Sequence, residues 1–348
     1  MVALASSKPR ILVLGAGAWG TALALVLCRN GGNEVFLWGR DEDAIATMRR
    51  TRTNERYLPG IKLSPDLNLV ASDRELPPDI DMIVAAVPFQ TLRSVLEFFA
   101  GAIGPAQCVA CACKGLEKDT FQRADQIVAD VYPATTTAAV LSGPNFAVEV
   151  ANQLPAAITV AARDDFWGRE LVHRFYSQTF RPYLTADVIG VEIGGAIKNV
   201  IAIAAGIADG LGLGANSRAA LITRGLAEIT RFGVAQGGQF ETFSGLSGLG
   251  DLVLTCTDDK SRNRRFGLRL AAGENVETAI AEIGLVEGAT TAAALVEFAG
   301  RLGIEMPISR EVADTVAAKT TPEQAVRNLL ARDPVAEAPG VIDALDAG

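Results

Sequence analysis

The sequence predicts an α/β protein, with a doubly wound parallel sheet in its first half and an all-helical second half. Three observations carry this. Short apolar runs alternate with helix-periodic segments up to about residue 190, a glycine-rich turn joins the first run to the first helix, and from Val191 the β-like runs give way to long alanine-rich helical patterns. Runs that are apolar on both faces and separated by helices belong to a sheet covered on both sides. The expected division is 1–190 for a dinucleotide-binding domain, 191–332 for a helical substrate domain, and 333–348 for a loosely held acidic tail.

The strand-like runs, in order, are RILVLGAG, NEVFLWG, DMIVAAVP, CVACACKG, AAVLSGP and AAITVAA. In the second half, VEIGGAIKNVIAIAAG, NSRAALITRGLAEITRFGVAQ and TAAALVEFAGRLG carry helical periodicity. Thr321-Pro322-Glu323 marks a helix start, with proline at the first helical position.

A chain of 348 residues with 49% hydrophobic content can bury a sizeable core. Its 32 basic and 40 acidic residues leave a formal charge of -8, which argues against general nucleic-acid binding. No run of 18 or more uninterrupted apolar residues marks an integral membrane segment, and MVALASSKPR is too short and polar for a signal peptide, so a cytoplasmic protein is expected. Five cysteines, Cys28, Cys108, Cys111, Cys113 and Cys256, lie in apolar runs and suit reduced thiols. With one histidine and no ligand spacing, no metal site is expected. His173, in LVHRFYSQ, reads as a partly buried structural histidine on an amphipathic helix.

In RILVLGAGAWGTALALVL, Gly15, Gly17 and Gly20 form a G-x-G-x-x-G between a strand and a helix. The first makes the turn, the second admits a pyrophosphate to the backbone, and the third packs helix on strand. The second strand ends at Gly39 and Arg40, with the acid, Asp41, one residue late. An arginine there suits a 2'-phosphate, which favours NADP and leaves NAD open.

Ligands of such a sheet gather beyond the carboxyl ends of its strands. Three ends carry unusual residues: Pro88, Lys114, and the turn SGPNFA. In the helical half, Lys198 sits beside Asn199 within an apolar helix whose same-face neighbours are Gly194, Gly195, Ile201, Ala202 and Ala205, a mostly small face that lets a substrate approach the ammonium closely or lets the lysine stem pack there while its head reaches water. The stretch SGLSGLGDLVLTCTDDKSRNRRFG adds Asp251 at a helix start, and Ser261, Arg262 and Asn263 at another, where a capping side chain, free amides and an arginine suit a phosphate. Lys114 nearby and desolvation should both lower the pKa of Lys198, with Asp251 opposing them.

The motifs GAGAWGTALA, AVPFQTL, ACKGLE, SGPNFAVEVA, EIGGAIKNVIAIAAGIADGLGLGANSRAALITRG, SGLGDLVLTC, SRNRRFG and VEGATTA, in order from about residue 11 to 320, resemble bacterial NAD(P)-dependent glycerol-3-phosphate dehydrogenases. The resemblance implies a Rossmann domain, a helical substrate domain, a homodimer, and reversible hydride transfer between sn-glycerol 3-phosphate and dihydroxyacetone phosphate, supplying phospholipid synthesis. It makes Lys198 the proton donor and acceptor. It sets Lys114, Gly143, Asn145, Asp251, Ser261, Arg262 and Asn263 at substrate positions; Asn199, next in sequence to Lys198, is expected to hold the substrate or the amine. At cofactor positions fall Ala18, Trp19, Arg40, Lys114, Ala147, Arg262, Leu285 and Glu287, beside the three glycines. Two residues depart from the family pattern: Ala18 replaces a common serine and leaves only its amide, and Asn145 replaces a common threonine. Rival dehydrogenases acting on ketopantoate, hydroxyacyl-CoA or nucleotide sugars share the two-part layout; the last two need a catalytic histidine or cysteine, and neither His173 nor Cys256 sits in a matching motif. A silent nucleotide sensor would not require Lys114, Lys198 and Asp251.

Overall fold

The computed structural model describes residues 8–332 apart from 104 and 105; the proposed acidic tail and the first seven residues of the N-terminal segment lie outside the described residues. The main sheet has eight strands: β1 (Arg10–Leu14), β2 (Glu34–Trp38), β5 (Leu67–Val70), β6 (Met82–Ala85), β7 (Cys108–Cys111), β8 (Thr137–Ser142), β9 (Ala156–Ala162) and β10 (Phe180–Thr185). Their order is β10-β9-β8-β7-β6-β1-β2-β5, and a separate antiparallel pair joins β3 (Thr53–Asn54) to β4 (Leu58–Lys62). Helices α1 (Ala18–Arg29), α2 (Glu42–Thr51), α3 (Leu92–Ile103), α4 (Ala124–Val131), α5 (Ala147–Ala151) and α6 (Asp165–Phe175) complete this half.

Alternate residues of β1 feed two cores. Ile11 and Val13 pack with Leu23, Leu27 and Leu171 of α1 and α6, whereas Leu12 and Leu14 pack with Leu96, Phe99 and Ile127 of α3 and α4. A strand apolar on both sides is therefore what this position demands.

One pairing departs from the expected parallel sheet: β8 and β9 run antiparallel. Helix α5 has five residues and spans about 7 Å, while the six residues of β8 span about 20 Å, so it cannot carry the chain back to the start of the strand. Pairing of β9 with β10 is parallel again.

The second half contains α7 (Val188–Gly210), α8 (Gly214–Ala235), α9 (Phe240–Phe243), α10 (Asp251–Thr257), α11 (Arg262–Ala271), α12 (Val276–Ile283), α13 (Glu287–Arg301), α14 (Pro307–Val316) and α15 (Pro322–Leu330), and no strand among the described residues. Thr321 caps α15 and Pro322 opens it, as its sequence signal predicts. Helix α7 is the axis of this half, with Ile197, Ile201 and Ala205 packed against Phe232, Leu252, Phe266 and Leu295. It alone among the described helices has the length and apolarity to cross a membrane, with mean hydropathy 1.7, but 89% of that window is buried inside the protein. Such a helix, polar only at Glu192, Lys198, Asn199 and, in its last turn, Asp209, is the core helix of a globular domain.

His173 lies on α6 as expected but is exposed, a correction to its partly buried reading. Its side chain falls on the outer face, between the buried positions Leu171 and Phe175.

Candidate active site

The glycine turn has the geometry a dinucleotide needs. Gly15 has φ of 109°, and a Cβ there would stand 2.7 Å from the Ala86 carbonyl oxygen; one on Gly20 would stand 1.9 Å from the Gly15 oxygen. Nothing lies within 4 Å of the same point on Gly17, which leaves open space against bare backbone where a pyrophosphate would approach. Helix α1 starts at Ala18 without a side-chain cap, so its first amides and positive dipole end are free for an anion. Asn54, on β3, ties the turn down: its amide donates to the Ala16 carbonyl at 3.0 Å and to the Thr21 hydroxyl at 2.8 Å. Trp19 and Ala18 are half-buried at the same helix start.

At the end of β2, Asp41 caps α2 by accepting from the Ala44 amide at 3.0 Å, and its other oxygen lies 3.6 Å from Arg56. Arg40 beside it is exposed and pairs with no carboxylate among the described residues. The acid one residue late is thus a helix cap, and the arginine is the group presented to solvent.

The two halves meet at a triad of charged side chains. Asp251, 1% exposed, opens α10; its Oδ1 accepts from the Lys198 ammonium and its Oδ2 from Lys114 Nζ at 2.5 Å. Lys114 stands three residues beyond the end of β7, and it also reaches the Gly143 carbonyl at 3.4 Å. Lys198 donates to the Thr255 hydroxyl at 2.8 Å, and that hydroxyl donates to the Asp251 carbonyl at 2.6 Å. Burial pushes the Lys198 ammonium down to about 8; Asp251 opposes the shift, and Lys114 adds to it. Desolvation, not the neighbouring lysine, is the larger cause.

Asp251 reaches this place through a π-helical turn, Leu246–Gly250, that runs directly into α10. The turn rests on α7: a Cβ on Gly194 would stand 2.7 Å from the Ser247 carbonyl oxygen. A Cβ on Gly195 would meet the Ser142 hydroxyl at 2.9 Å and the Lys114 stem at 3.4 Å. The two glycines beside Lys198 therefore make room for the π turn and for Lys114; the expectation that they clear space for substrate is corrected.

Beyond Lys198 a second chain of hydrogen bonds joins three helices. Asn263, in the first turn of α11, donates to Asn199 Oδ1 at 2.9 Å and accepts from the Gly288 amide at 3.0 Å. Both asparagines are buried. Ser261 caps α11 by accepting from the Arg264 amide at 3.2 Å, and Arg264 is engaged with Asp209 and Asp259. Arg262 is exposed at the same helix start. Glu287 opens α13, half-buried; burial pushes its carboxyl upward, while Arg262, the Phe89 amide, Lys114 and Lys198 oppose this. Those neighbours set Glu287 in the same crevice.

Of the other residues singled out from the sequence, Gly143 touches the triad through its carbonyl and Lys114. Asn145 donates to the Ala157 carbonyl at 2.8 Å, and its Oδ1 is buried without a partner among the described residues. Gly143 adopts φ of 148° beside it. Ala147 begins α5, and Leu285 is exposed in the link before α13. Sequence reasoning missed Thr255 and Asn54. The spacing of Asp251 and Thr255, four apart on one helix, carried the signal for the first; Asn54, in a two-residue strand, carried none.

Residues 10–167 match the family model for the NAD-dependent glycerol-3-phosphate dehydrogenase N-terminus, and residues 187–327 that for its C-terminus. The chain belongs to this family. Among its relatives, glycerol-3-phosphate dehydrogenase (NAD(P)+) of Halorhodospira halophila is 49% identical over 328 residues, covering 94% of this chain and 98% of the relative. The enzyme of the same name from Nitrosomonas eutropha is 47% identical over 328 residues, covering 94% and 99%. The crystal structure of glycerol-3-phosphate dehydrogenase from Coxiella burnetii superposes with a TM-score of 0.89 at 41% identity, covering 93% of this chain and 99% of that one. Membership of the glycerol-3-phosphate dehydrogenase family makes the chain an NAD(P)-dependent oxidoreductase built on a Rossmann-type sheet and a helical second half.

Proposed function

We propose that this chain catalyses reversible hydride transfer between sn-glycerol 3-phosphate and dihydroxyacetone phosphate, with the reduction supplying glycerophospholipid synthesis in the cytoplasm, and that it works as a homodimer. Bound nicotinamide supplies the hydride to C2 in the reduction and receives it in the oxidation. The Lys198 ammonium gives its proton to the carbonyl oxygen that becomes the C2 hydroxyl, and the free amine regains a proton from solvent. Lys114 stabilises negative charge as it develops on that oxygen, a large term in catalysis of this kind. Asp251 holds both lysines, and Asn199 keeps an amide donor free for substrate because its oxygen is already taken by Asn263.

The phosphate rests on Arg262 and the amides that open α11, with Ser261 and Asn263 shaping that turn. Gly143 and Asn145 line the substrate side of the crevice. A dinucleotide would be held by Gly15, Gly17 and Gly20 with the Ala18 and Trp19 amides, by Arg40, and by Lys114, Ala147, Arg262, Leu285 and Glu287. An exposed arginine at the end of β2, unpaired among the described residues, favours NADP and leaves NAD open.

The observation that carries this reading is the Asp251 carboxylate shared between a lysine from each half, one of them buried with its pKa near 8. A proton donor near the working pH, beside a second positive charge in a crevice, suits ketone reduction. The direct test adds dihydroxyacetone phosphate to purified protein with NADPH or NADH and follows loss of the reduced nicotinamide. Oxidation of either cofactor is expected; silence with both, alongside turnover of ketopantoate, would transfer the chain to a different substrate.

A further inference from the structure

Two buried ion pairs cross between the sheet and the helical half among the described residues, and only Lys114 with Asp251 belongs to the proposed chemistry. The other joins Arg123, at the cap of α4, to Glu192 on α7. Glu192 is 8% exposed; its Oε2 accepts from Arg123 Nε at 3.0 Å and its Oε1 from the Asp125 amide at 2.8 Å. Asp125 in turn accepts from Arg123 at 3.3 Å and from Arg163, beyond β9, at 3.1 Å. Both carboxylate oxygens of Glu192 are thus held by the first turn of a helix in the opposite half.

We propose that Glu192 is a positioning residue for Lys198: by binding Arg123 and the Asp125 amide it fixes the rotation and axial setting of α7 against α4. Six residues of helix put Glu192 and Lys198 about 9 Å apart along the axis and about 120° apart around it. One faces α4 while the other faces α10. The apolar contacts at the same junction, Val188 and Val191 against Val140 and Ala161, are non-directional and leave sliding and rotation free. Two directional bonds to the buried Glu192 carboxyl remove that freedom. Because Lys114 belongs to the sheet and Lys198 to α7, this setting governs their separation and how deeply Lys198 is desolvated.

The charged and titratable groups around each end are few. Arg123 and Asp125 face Glu192 from α4, Cys111 faces it from β7, and beyond a small cavity it also faces Lys114 and Cys113; burial, then Asp125, pushes the Glu192 carboxyl well above the usual range, with Arg123 opposing. Lys198 is faced by Asp251, Cys256, Lys114 and Glu287.

The inference rests on the role proposed for Lys198, and the two fail separately: Lys198→Ala tests the role, whereas Glu192→Gln and Arg123→Ala, singly and together, test the positioning. Each variant is assayed for kcat, KM, NADPH affinity, thermal unfolding and the pH at which glycerol 3-phosphate oxidation rises. A misplaced reacting group costs up to about 10²-fold in rate, so each single variant should lose about 10-fold or more in kcat with NADPH affinity kept. The rise in oxidation should move to higher pH, since a lysine drawn toward water and away from Lys114 regains its ordinary basicity. The double variant should be no worse than the worse single, because the two side chains act as one unit. An unmoved pH profile with unchanged kcat in folded protein would overturn the proposal, even with lowered thermal stability. Failure of both single variants to fold would overturn it too, since the cluster would then serve stability alone.

Discussion

Lys198 and Asp251 form a buried pair across α7 and α10, and the second carboxylate oxygen of Asp251 is spent on a lysine from the other half of the molecule. One anion is therefore shared between two cations. The arrangement leaves a net positive charge where an alkoxide would develop, and burial keeps one of the two ammonium groups ready to release its proton.

Lys198 should set the pH dependence of turnover. With its ammonium lowered to about 8, oxidation of glycerol 3-phosphate, which needs the free amine, should rise through about pH 8, and reduction should fall there. The stability sign follows from the same shift. Between about 8 and the ordinary 10.5 the unfolded chain binds more protons at this lysine than the folded one, so stability should increase with pH across that window. Lys198→Ala should abolish the limb, lower kcat by about 10²-fold or more, and leave NADPH affinity nearly intact. Undiminished turnover would remove Lys198 from the mechanism.

Asp251→Asn removes the one group that raises the Lys198 pKa. The oxidation limb should then move to lower pH, the opposite direction from Glu192→Gln. Two lysines would face each other without their shared anion, and breaking a buried pair from one side costs about 3–5 kcal/mol. Urea unfolding of the variant should report that loss, and a pH profile displaced upward would contradict the assigned sign.

The sheet was legible where both faces are covered and illegible at its rims. Ile11, Leu12, Val13 and Leu14 are fully buried, with each face of the strand in an apolar cluster, so the run itself declares the strand. At the edges β10 carries Arg181, Pro182 and Tyr183, and β5 carries Asn68, a mixture that edge strands tolerate because one side meets solvent. The chemical site divides in the same way. Lys198 and Asp251 stand out as charges inside apolar helices. What Gly194 and Gly195 make room for depends on Ser247 and Lys114, which are distant in sequence, and no local pattern names those partners. Similarly, the leading cause of the Lys198 shift is the number of atoms packed around it, a property of the fold and not of its charged neighbours alone.

Arg40→Ala should separate the two cofactors. With Asp41 committed to capping α2, Arg40 is the cation available to a 2'-phosphate at the end of β2. A charged hydrogen bond contributes about 1.5–3 kcal/mol, so kcat/KM for NADPH should fall by about 10-fold or more while that for NADH changes little. Parallel kinetics with both cofactors check this, and equal losses would mean that Arg40 does not read the phosphate.

Arg262→Ala should act on the substrate's phosphate. Arg264 on the same helix is occupied by Asp209 and Asp259, which leaves Arg262, exposed at the first turn of α11, to meet an anion beside that helix's amides. Removing it should raise KM for dihydroxyacetone phosphate by about 10-fold or more, the scale of one charge-assisted bond. Turnover of unphosphorylated dihydroxyacetone, which never makes that contact, should change much less. Since the guanidinium also opposes the upward shift of the Glu287 carboxyl, its loss should bring Glu287 closer to neutrality and weaken cofactor binding modestly. Equal effects on the phosphorylated and unphosphorylated substrates would show that the anion is held by the helix amides without Arg262.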